Sequence, residues 1–182
     1  SAYGMSSVPG IVQGGGRVFV FSQPWTQAAP SPWQVLSGPL PEAGCVHPQC
    51  FNANFGWRVS VIGDVSGDSL PDLVISAPEL TLTAQGAGDR GKVFVIDTGS
   101  WTEIRGIFGP TTGGFFGNSL TTIHDVTGDG FDDIVAAAPY APTVAGIAGA
   151  GRVDIYSGRT APVATGAGTA PLQPGDNFGF AL

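Results

Sequence analysis

The sequence predicts an all-β fold: β-propeller blades of four antiparallel strands, forming a partial propeller of about three blades in this chain. Three observations support this fold class. The 182 residues include 29 glycines and 15 prolines, which disfavour long helices. Valine, isoleucine and phenylalanine occur in short runs between glycine-rich stretches, a pattern typical of many short strands. Finally, a long segment of the chain occurs more than once, which is the signature of a repeat architecture.

The repeat is visible when residues 54–78 are aligned with residues 115–139. Both copies contain Phe-Gly, then an aspartate-rich stretch, then Ala-Pro, and the alignment needs no gap. Phe-Gly occurs again at Phe178, which follows Phe116 at nearly the same spacing as Phe116 follows Phe55. Since strands of a sandwich need not repeat in sequence, this periodicity favours propeller blades.

A second recurrent motif lies between these segments, as GRVFVF at Gly16, GKVFVI at Gly91 and GRVDIY at Gly151. The first two copies are farther apart than the last two, so we expect an insertion before the second blade. The predicted units begin with residues 1–54, the C-terminal part of a first blade with a cysteine-containing insertion. Residues 55–115 and 116–177 are a second and a third blade, each with an aspartate-rich loop, and residues 178–182 are the start of a further blade.

Each unit is expected to contain four strands. In the second unit, alternating or continuous apolar residues predict strands at 57–62, 72–76, 92–96 and 101–108. Because stacked blades bury both faces of a sheet, near-continuous apolar strands are expected here. The order Phe-Gly, Asp-rich loop, Ala-Pro at this spacing resembles the FG-GAP repeat of integrin α-subunit propellers. The resemblance covers residues 55–182 well, and residues 1–54 through GRVFVF, with Ser or Ala in place of the Gly of Gly-Ala-Pro.

The two aspartate-rich stretches, DVSGDSLPD and DVTGDGFDD, place oxygen-bearing groups at positions 1, 3, 5, 7 and 9. In a tightly curled loop these alternate positions point inward, so their oxygens can converge on a hard cation such as Ca²⁺, which takes 6–8 oxygen ligands. Position 7 would contribute its backbone carbonyl while its side chain faces the core. The candidate ligands of two calcium sites are Asp64, Ser66, Asp68, Leu70 and Asp72, and Asp125, Thr127, Asp129, Phe131 and Asp133.

An EF-hand is not expected, because its glutamate at position 12 is replaced by Ile75 and Ala136, and a strand follows the loop. The resemblance to FG-GAP repeats implies calcium binding at all ten positions. Since Ser66 and Thr127 are neutral, we expect weak affinity, toward the ~10⁻⁴–10⁻³ M of extracellular modules. The alternative is an Asp/Gly-rich turn whose carboxylates cap backbone amides without an ion. Asp132, which aligns with Pro71, is expected to be a solvated charge.

Two cysteines, Cys45 and Cys50, lie in one short loop, GCVHPQC. A close pair in a loop of a Gly- and Pro-rich chain with one lysine favours a disulfide. There are two alternatives. One is a metal site that includes His47, and the other is a pair of free thiols.

The composition argues against several classes of function. Seven basic and 14 acidic residues give a net charge of -7, and scattered arginines with a single lysine do not form the basic face that nucleic acid requires. No apolar run approaches the ~20 residues of a membrane span. No GxSxG motif occurs, and the acids are assigned to calcium, so we do not expect an enzyme.

The expected function is therefore a non-catalytic, extracellular calcium-binding propeller segment, secreted or at the cell surface, that acts in adhesion or partner binding. The partner would be a protein or a glycan, or neighbouring copies of the chain. A glycan surface would use some of the four tryptophans, Trp25, Trp33, Trp57 and Trp101. Two alternatives are a structural building block of an extracellular filament, sheath or coat, and an accessory propeller of a secreted hydrolase.

Overall fold

A computed structural model describes residues 16–21, 33–38, 53–81, 90–142, 146–159, 164–166 and 173–182. These residues form ten strands in three antiparallel sheets, and the fold is all-β, as predicted. The strands are β1 (Arg17–Val20), β2 (Gln34–Ser37), β3 (Val59–Ile62), β4 (Asp72–Ala77), β5 (Lys92–Asp97), β6 (Thr102–Phe108), β7 (Ser119–Ile123), β8 (Asp133–Ala138), β9 (Arg152–Ser157) and β10 (Ala164–Gly166).

The sheets follow the order of the chain. The second blade is a meander of β3, β4, β5 and β6, and the third blade repeats it with β7, β8, β9 and β10. The described part of the first blade is the pair β1–β2, in which Phe19 lies opposite Val35. β3 and β7 are the first strands of neighbouring blades, and the Ser60 and Thr122 hydroxyls are 2.9 Å apart between them.

The predicted strands of the second blade are all present, with small differences at their ends. Trp57 and Trp101, predicted to lie in strands, precede β3 and β6. Trp101 is in a turn closed by a 2.7 Å hydrogen bond from its amide to the Asp97 carbonyl, and its φ of 59° is incompatible with an extended strand.

Two apolar cores lie between the blades, because the central sheet buries both of its faces. Side chains of the second blade alternate between them: Phe94 and Ile96 of β5 belong to one core, Val93 and Val95 to the other. The core between the first and second blades contains Val18, Leu36, Ala53, Phe55, Ile75, Ala77, Phe94 and Ile96. The core between the second and third contains Ile62, Val65, Val74, Val93, Val95, Ile107, Phe116, Leu120, Ile134, Ala136, Ala138, Ala141 and Tyr156.

The Phe-Gly pairs dock each blade onto the preceding one. Gly91, at φ 78°, lies against the backbone of Phe116, where a Cβ atom would collide with the Phe116 carbonyl. Gly117 lies over Ser76 and Val93 of the second blade with similarly little space for a side chain. The same contacts recur at Gly16 with Phe55 and at Gly151 with Phe178. The glycines are therefore required by close backbone approach, which fixes the spacing of blades.

In the part of the chain that the structure describes, no helix is long and apolar enough to cross a membrane. The Cys45–Cys50 pair lies outside the described residues, and its pairing stays a prediction.

Candidate metal-binding loops

The two aspartate-rich loops occupy equivalent places in the sheets. One connects β3 to β4 in the second blade, and the other connects β7 to β8 in the third. In each, the last aspartate, Asp72 or Asp133, is the first residue of the second strand. Since the two strands that each loop joins pair with one another, the loop is held at both ends by its sheet.

The first aspartate of each loop organises the turn. The Asp64 carboxylate accepts hydrogen bonds from the amides of Gly67 (2.6 Å), Asp68 (3.2 Å) and Ser69 (2.8 Å). Asp125 accepts the equivalent set in the third blade, from Gly128, Asp129 and Gly130. The Gly67 amide, more than the other donors, lowers the pKa of Asp64, so this carboxylate stays ionised into acid.

The last aspartate of each loop is fully buried and ties the loop to the sheet. Asp72 accepts hydrogen bonds from the amides of Val65 (3.0 Å) and Ser66 (2.8 Å), and its other oxygen accepts one from Thr98 (3.2 Å). Asp133 accepts the same two loop amides, from Val126 and Thr127, together with the Thr127 hydroxyl (3.0 Å). These are charge-assisted bonds to buried carboxylates, so they contribute strongly to loop geometry.

Two groups of three carboxylates result, each with oxygens within 4.8 Å of one another and each able to hold a metal ion. In the third blade the group is Asp125, Asp129 and Asp133, the three aspartates predicted from the loop spacing. In the second blade it is Asp68, Asp72 and Asp97, so Asp64 lies outside this group.

Asp97 was missed in the sequence because it lies far beyond the loop, at the end of the third strand of the blade. It ends β5, and the β4–β5 register, which places Ile96 opposite Leu73, brings it beside Asp72. The Ser100 hydroxyl (2.6 Å) and the Gly99 amide (2.7 Å) donate to Asp97 and lower its pKa, the hydroxyl most. The signal that would have revealed Asp97 is an acidic residue at the end of that strand.

The third blade has Ser157 at the place of Asp97. Its hydroxyl donates to the Asp129 carboxylate, while its carbonyl accepts a hydrogen bond from Arg105 of the second blade. The guanidinium of Arg105 is half-buried, and this burial lowers its pKa. At this place the second blade thus has an aspartate, Asp97, where the third blade has a neutral hydroxyl, that of Ser157.

The side chains at position 7 of the two loops differ in their burial. Phe131 packs against the core between the second and third blades, as predicted, and the Arg159 guanidinium lies 4.6 Å from the centre of its ring. The prediction is wrong for Leu70, whose side chain is 48% exposed. The backbone does not account for this difference, because Ser69 and its counterpart Gly130 both have a positive φ, 73° and 88°. Phe131 has the core between the blades to pack on, whereas Leu70 stays exposed.

Asp132 is not the solvated charge that the sequence predicted. One carboxylate oxygen accepts a hydrogen bond from the Gly63 amide of the second blade (3.1 Å), and the other lies 2.9 Å from Nδ1 of the exposed His124. Because Gly63 and Asp132 are 69 residues apart, only the stacking of blades brings them together.

The tryptophans do not form one surface in the described residues. Trp33 and Trp101 meet edge to face, with ring centres 5.4 Å apart, whereas the Trp57 indole donates to the Asn118 carbonyl of the third blade. Trp25 lies outside the described residues.

Stacked four-stranded antiparallel blades, each with an aspartate-rich loop between its first two strands, define a protein of the β-propeller class. Comparison with known proteins identifies the repeat: a model of the FG-GAP repeat matches residues 55–96 and 116–156. The chain therefore carries FG-GAP repeats and is integrin alpha-like in sequence.

Integrin alpha-PS2 of Drosophila melanogaster is 38% identical over 112 residues, which are 57% of this chain and 8% of that protein. Integrin alpha-6 of Gallus gallus is 30% identical over 122 residues, 66% of this chain and 10% of the relative. Integrin alpha-E of Homo sapiens is 31% identical over 127 residues, 65% and 10% respectively. The matched regions thus span about a tenth of these relatives or less.

Proposed function

We propose that the chain is a non-catalytic, extracellular calcium-binding segment of a β-propeller, secreted or at the cell surface, that acts in adhesion or in binding a partner. The observation that carries this proposal is the presence of two clusters of three carboxylates, one at each of the equivalent loops of successive blades. The likeness to integrin alpha subunits supports the location and the role in adhesion. In this proposal the repeating units keep the bounds 55–115 and 116–177, with 1–54 and 178–182 as parts of flanking blades.

Calcium fits these loops because the available donors are hard oxygens and the loops are curled around them. Three carboxylates with oxygens within 4.8 Å of one another repel unless a cation offsets their charge. Magnesium suits the loops less, since it demands a near-ideal octahedron and retains water. The proposed ligands in the second blade are Asp64, Ser66, Asp68, Leu70 and Asp72, joined by Asp97. In the third blade they are Asp125, Thr127, Asp129, Phe131 and Asp133.

The proposed role of the ion is structural: it would stabilise the blades, and a partner would bind to other surfaces. Each loop joins the first two strands of its blade, so an ion at the loop restrains the same residues that hold β3 to β4 and β7 to β8. A partner, whether a protein or a glycan, would then meet a rigid array of loops at one end of the sheets. Rigid presentation lowers the entropic cost of binding.

Calorimetric titration with Ca²⁺ tests this proposal on the wild type and on Asp68→Ala and Asp129→Ala. These two aspartates are not fully buried, and the loop amides that they accept, those of Leu70 and Phe131, are exposed and partly buried respectively. We expect two calcium ions per wild-type chain and one for each variant. A chelator should lower the melting temperature of the wild type.

Asp176→Ala is the matched control, because this exposed aspartate accepts a hydrogen bond in a turn far from both loops in the sequence. It should bind two ions like the wild type. Absence of heat at millimolar Ca²⁺ in a folded wild-type chain, or unchanged stoichiometry in both loop variants, would refute the proposed sites.

A further inference from the structure

Arg105 of the second blade reaches the aspartate-rich loop of the third. It lies on β6 and donates a hydrogen bond from Nη1 to the Ser157 carbonyl, while the Ser157 hydroxyl donates one to the Asp129 carboxylate. One residue therefore links the guanidinium to a member of the third-blade carboxylate cluster. Because the guanidinium is half-buried, water and salt screen its positive charge only in part.

The corresponding residue of the preceding blade is neutral. On β6, Arg105 pairs with Val95, the fifth residue of GKVFVI. On β2, Gln34 pairs with Val20, the fifth residue of GRVFVF. Gln34 and Arg105 thus occupy the same place in successive blades, and both are partly buried. The chain itself supplies a neutral version of the Arg105 position.

The two candidate sites differ in charge at two places, and both differences have the same sign. The second-blade site follows a blade with Gln34 and includes Asp97. The third-blade site follows a blade with Arg105 and has Ser157 at the place of Asp97. The surroundings of the third-blade carboxylates are therefore less negative than those of the second-blade carboxylates.

We propose that Arg105 is a built-in counter-ion of the third-blade loop. It offsets the repulsion among the three carboxylates when no cation is bound, and it weakens Ca²⁺ binding there relative to the second-blade loop. The calcium part of this role rests on the proposed function of the loops, whereas the offset of repulsion does not. The two loops would then bind Ca²⁺ over different concentration ranges, and the charge at one loop would depend on how two blades stack.

The direction of the effect distinguishes a role of charge from a role of shape. If Arg105 only held Ser157 in place, its loss would disturb the Asp129 ligand and weaken calcium binding. Loss of a positive charge instead removes repulsion of the divalent ion and strengthens binding.

Calorimetric titration of Arg105→Gln in the Asp68→Ala background measures the third-blade site by itself. The substitution gives β6 the residue of β2 and keeps a hydrogen-bond donor, and Ca²⁺ should bind about fivefold more tightly. Arg105→Lys keeps the charge and should bind within about twofold of the parent. Arg58→Gln is the matched control for net charge and should leave the affinity unchanged, because Arg58 is exposed and precedes β3 at the end away from the loop.

Unchanged or weaker binding in Arg105→Gln overturns the counter-ion role. Equal tightening in Arg105→Lys also overturns it, since the charge is then irrelevant, and equal tightening in Arg58→Gln would trace the effect to net charge alone and do the same. Circular dichroism establishes that each variant is folded, and Arg105→Met replaces a glutamine variant that is not.

Thermal unfolding in chelator tests the same role without calcium. Arg105→Gln should lower the melting temperature by about 3 °C. The fall should be smaller in the Asp129→Asn background, where the carboxylate that Arg105 offsets is neutral. Equal falls in both backgrounds overturn the counter-ion role. A folded wild type that binds no Ca²⁺ refutes the proposed function and the calcium part of this role, and the chelator measurements then decide the offset of repulsion by themselves.

Discussion

The second and third blades share a fold and a loop, and three of the positions at which they differ bear on the charge of the loop and its attachment. Where the second blade has Pro71, Phe94 and Asp97, the third has Asp132, Asp154 and Ser157. The aspartates that begin and end the loops are the same in both and make the same backbone hydrogen bonds. The comparison teaches that the shared residues build the loop, while the variable ones set its charge and its attachment to neighbouring strands.

The largest effect on stability is expected at the loop aspartates that the two blades share. Asp72→Ala and Asp133→Ala each remove a fully buried carboxylate that accepts several hydrogen bonds, so each should lower the free energy of unfolding by about 3 kcal/mol. The loss should persist in a chelator, because the paired amides remain buried. Urea denaturation with and without Ca²⁺ measures it. Equal stability of both variants and the wild type in chelator would contradict a structural role for these carboxylates.

The second-largest effect is expected on calcium affinity, and it distinguishes the two candidate sites. Asp97→Ser gives the second blade the residue of the third, and Ser157→Asp does the reverse. Removing a carboxylate near the ion should weaken calcium binding in the second blade by about tenfold, and adding one should strengthen it in the third. Calorimetry in the Asp129→Ala and Asp68→Ala backgrounds isolates each site. If the affinities do not change in opposite directions, Asp97 does not act on the ion.

A smaller effect concerns attachment between blades. Asp132→Ala removes the acceptor of the Gly63 amide and should cost about 1 kcal/mol of unfolding free energy. Asp132→Asn keeps an oxygen acceptor and serves as the control in urea denaturation. Identical midpoints for both variants and the wild type would show that this contact between blades contributes no stability.

The smallest effect is a change of pH dependence in the third blade. Asp154 is buried beside Arg152, whose Nε lies 2.8 Å from the carboxylate, and burial raises the pKa of Asp154 above its ordinary 3.8. The unfolded chain therefore releases this proton first, so stability falls as pH rises from 3.8 to the folded pKa. Subtracting melting temperatures of Asp154→Asn from those of the wild type isolates this decline; a rising difference contradicts it.

Much of the fold could be predicted from the sequence because it repeats. The gap-free alignment of the two copies identified the repeating unit, and its apolar runs located the second blade's strands with only small errors at their ends. The apolar run in β5 matches its division between two cores. Phe-Gly pairs were recognisable because close packing restricts the allowed residue types, and loop aspartates because the loop needs carboxylates to accept its backbone amides.

The features that could not be predicted from the sequence depend on contacts between distant segments. Asp97 reaches the loop through the β4–β5 register, and Asp132 reaches Gly63 through blade stacking; neither is encoded in a short window. Leu70 and Phe131 occupy the same loop position, yet only Phe131 finds a core to pack on. Sequence spacing therefore identified the loops better than it identified their surroundings.

The most direct test of the account is an anomalous difference map of crystals grown in millimolar Ca²⁺. We predict two calcium peaks per chain, one among Asp68, Asp72 and Asp97 and one among Asp125, Asp129 and Asp133. Well-ordered loops whose carboxylates bond backbone amides or water, with no anomalous peak between them, would contradict the central claim.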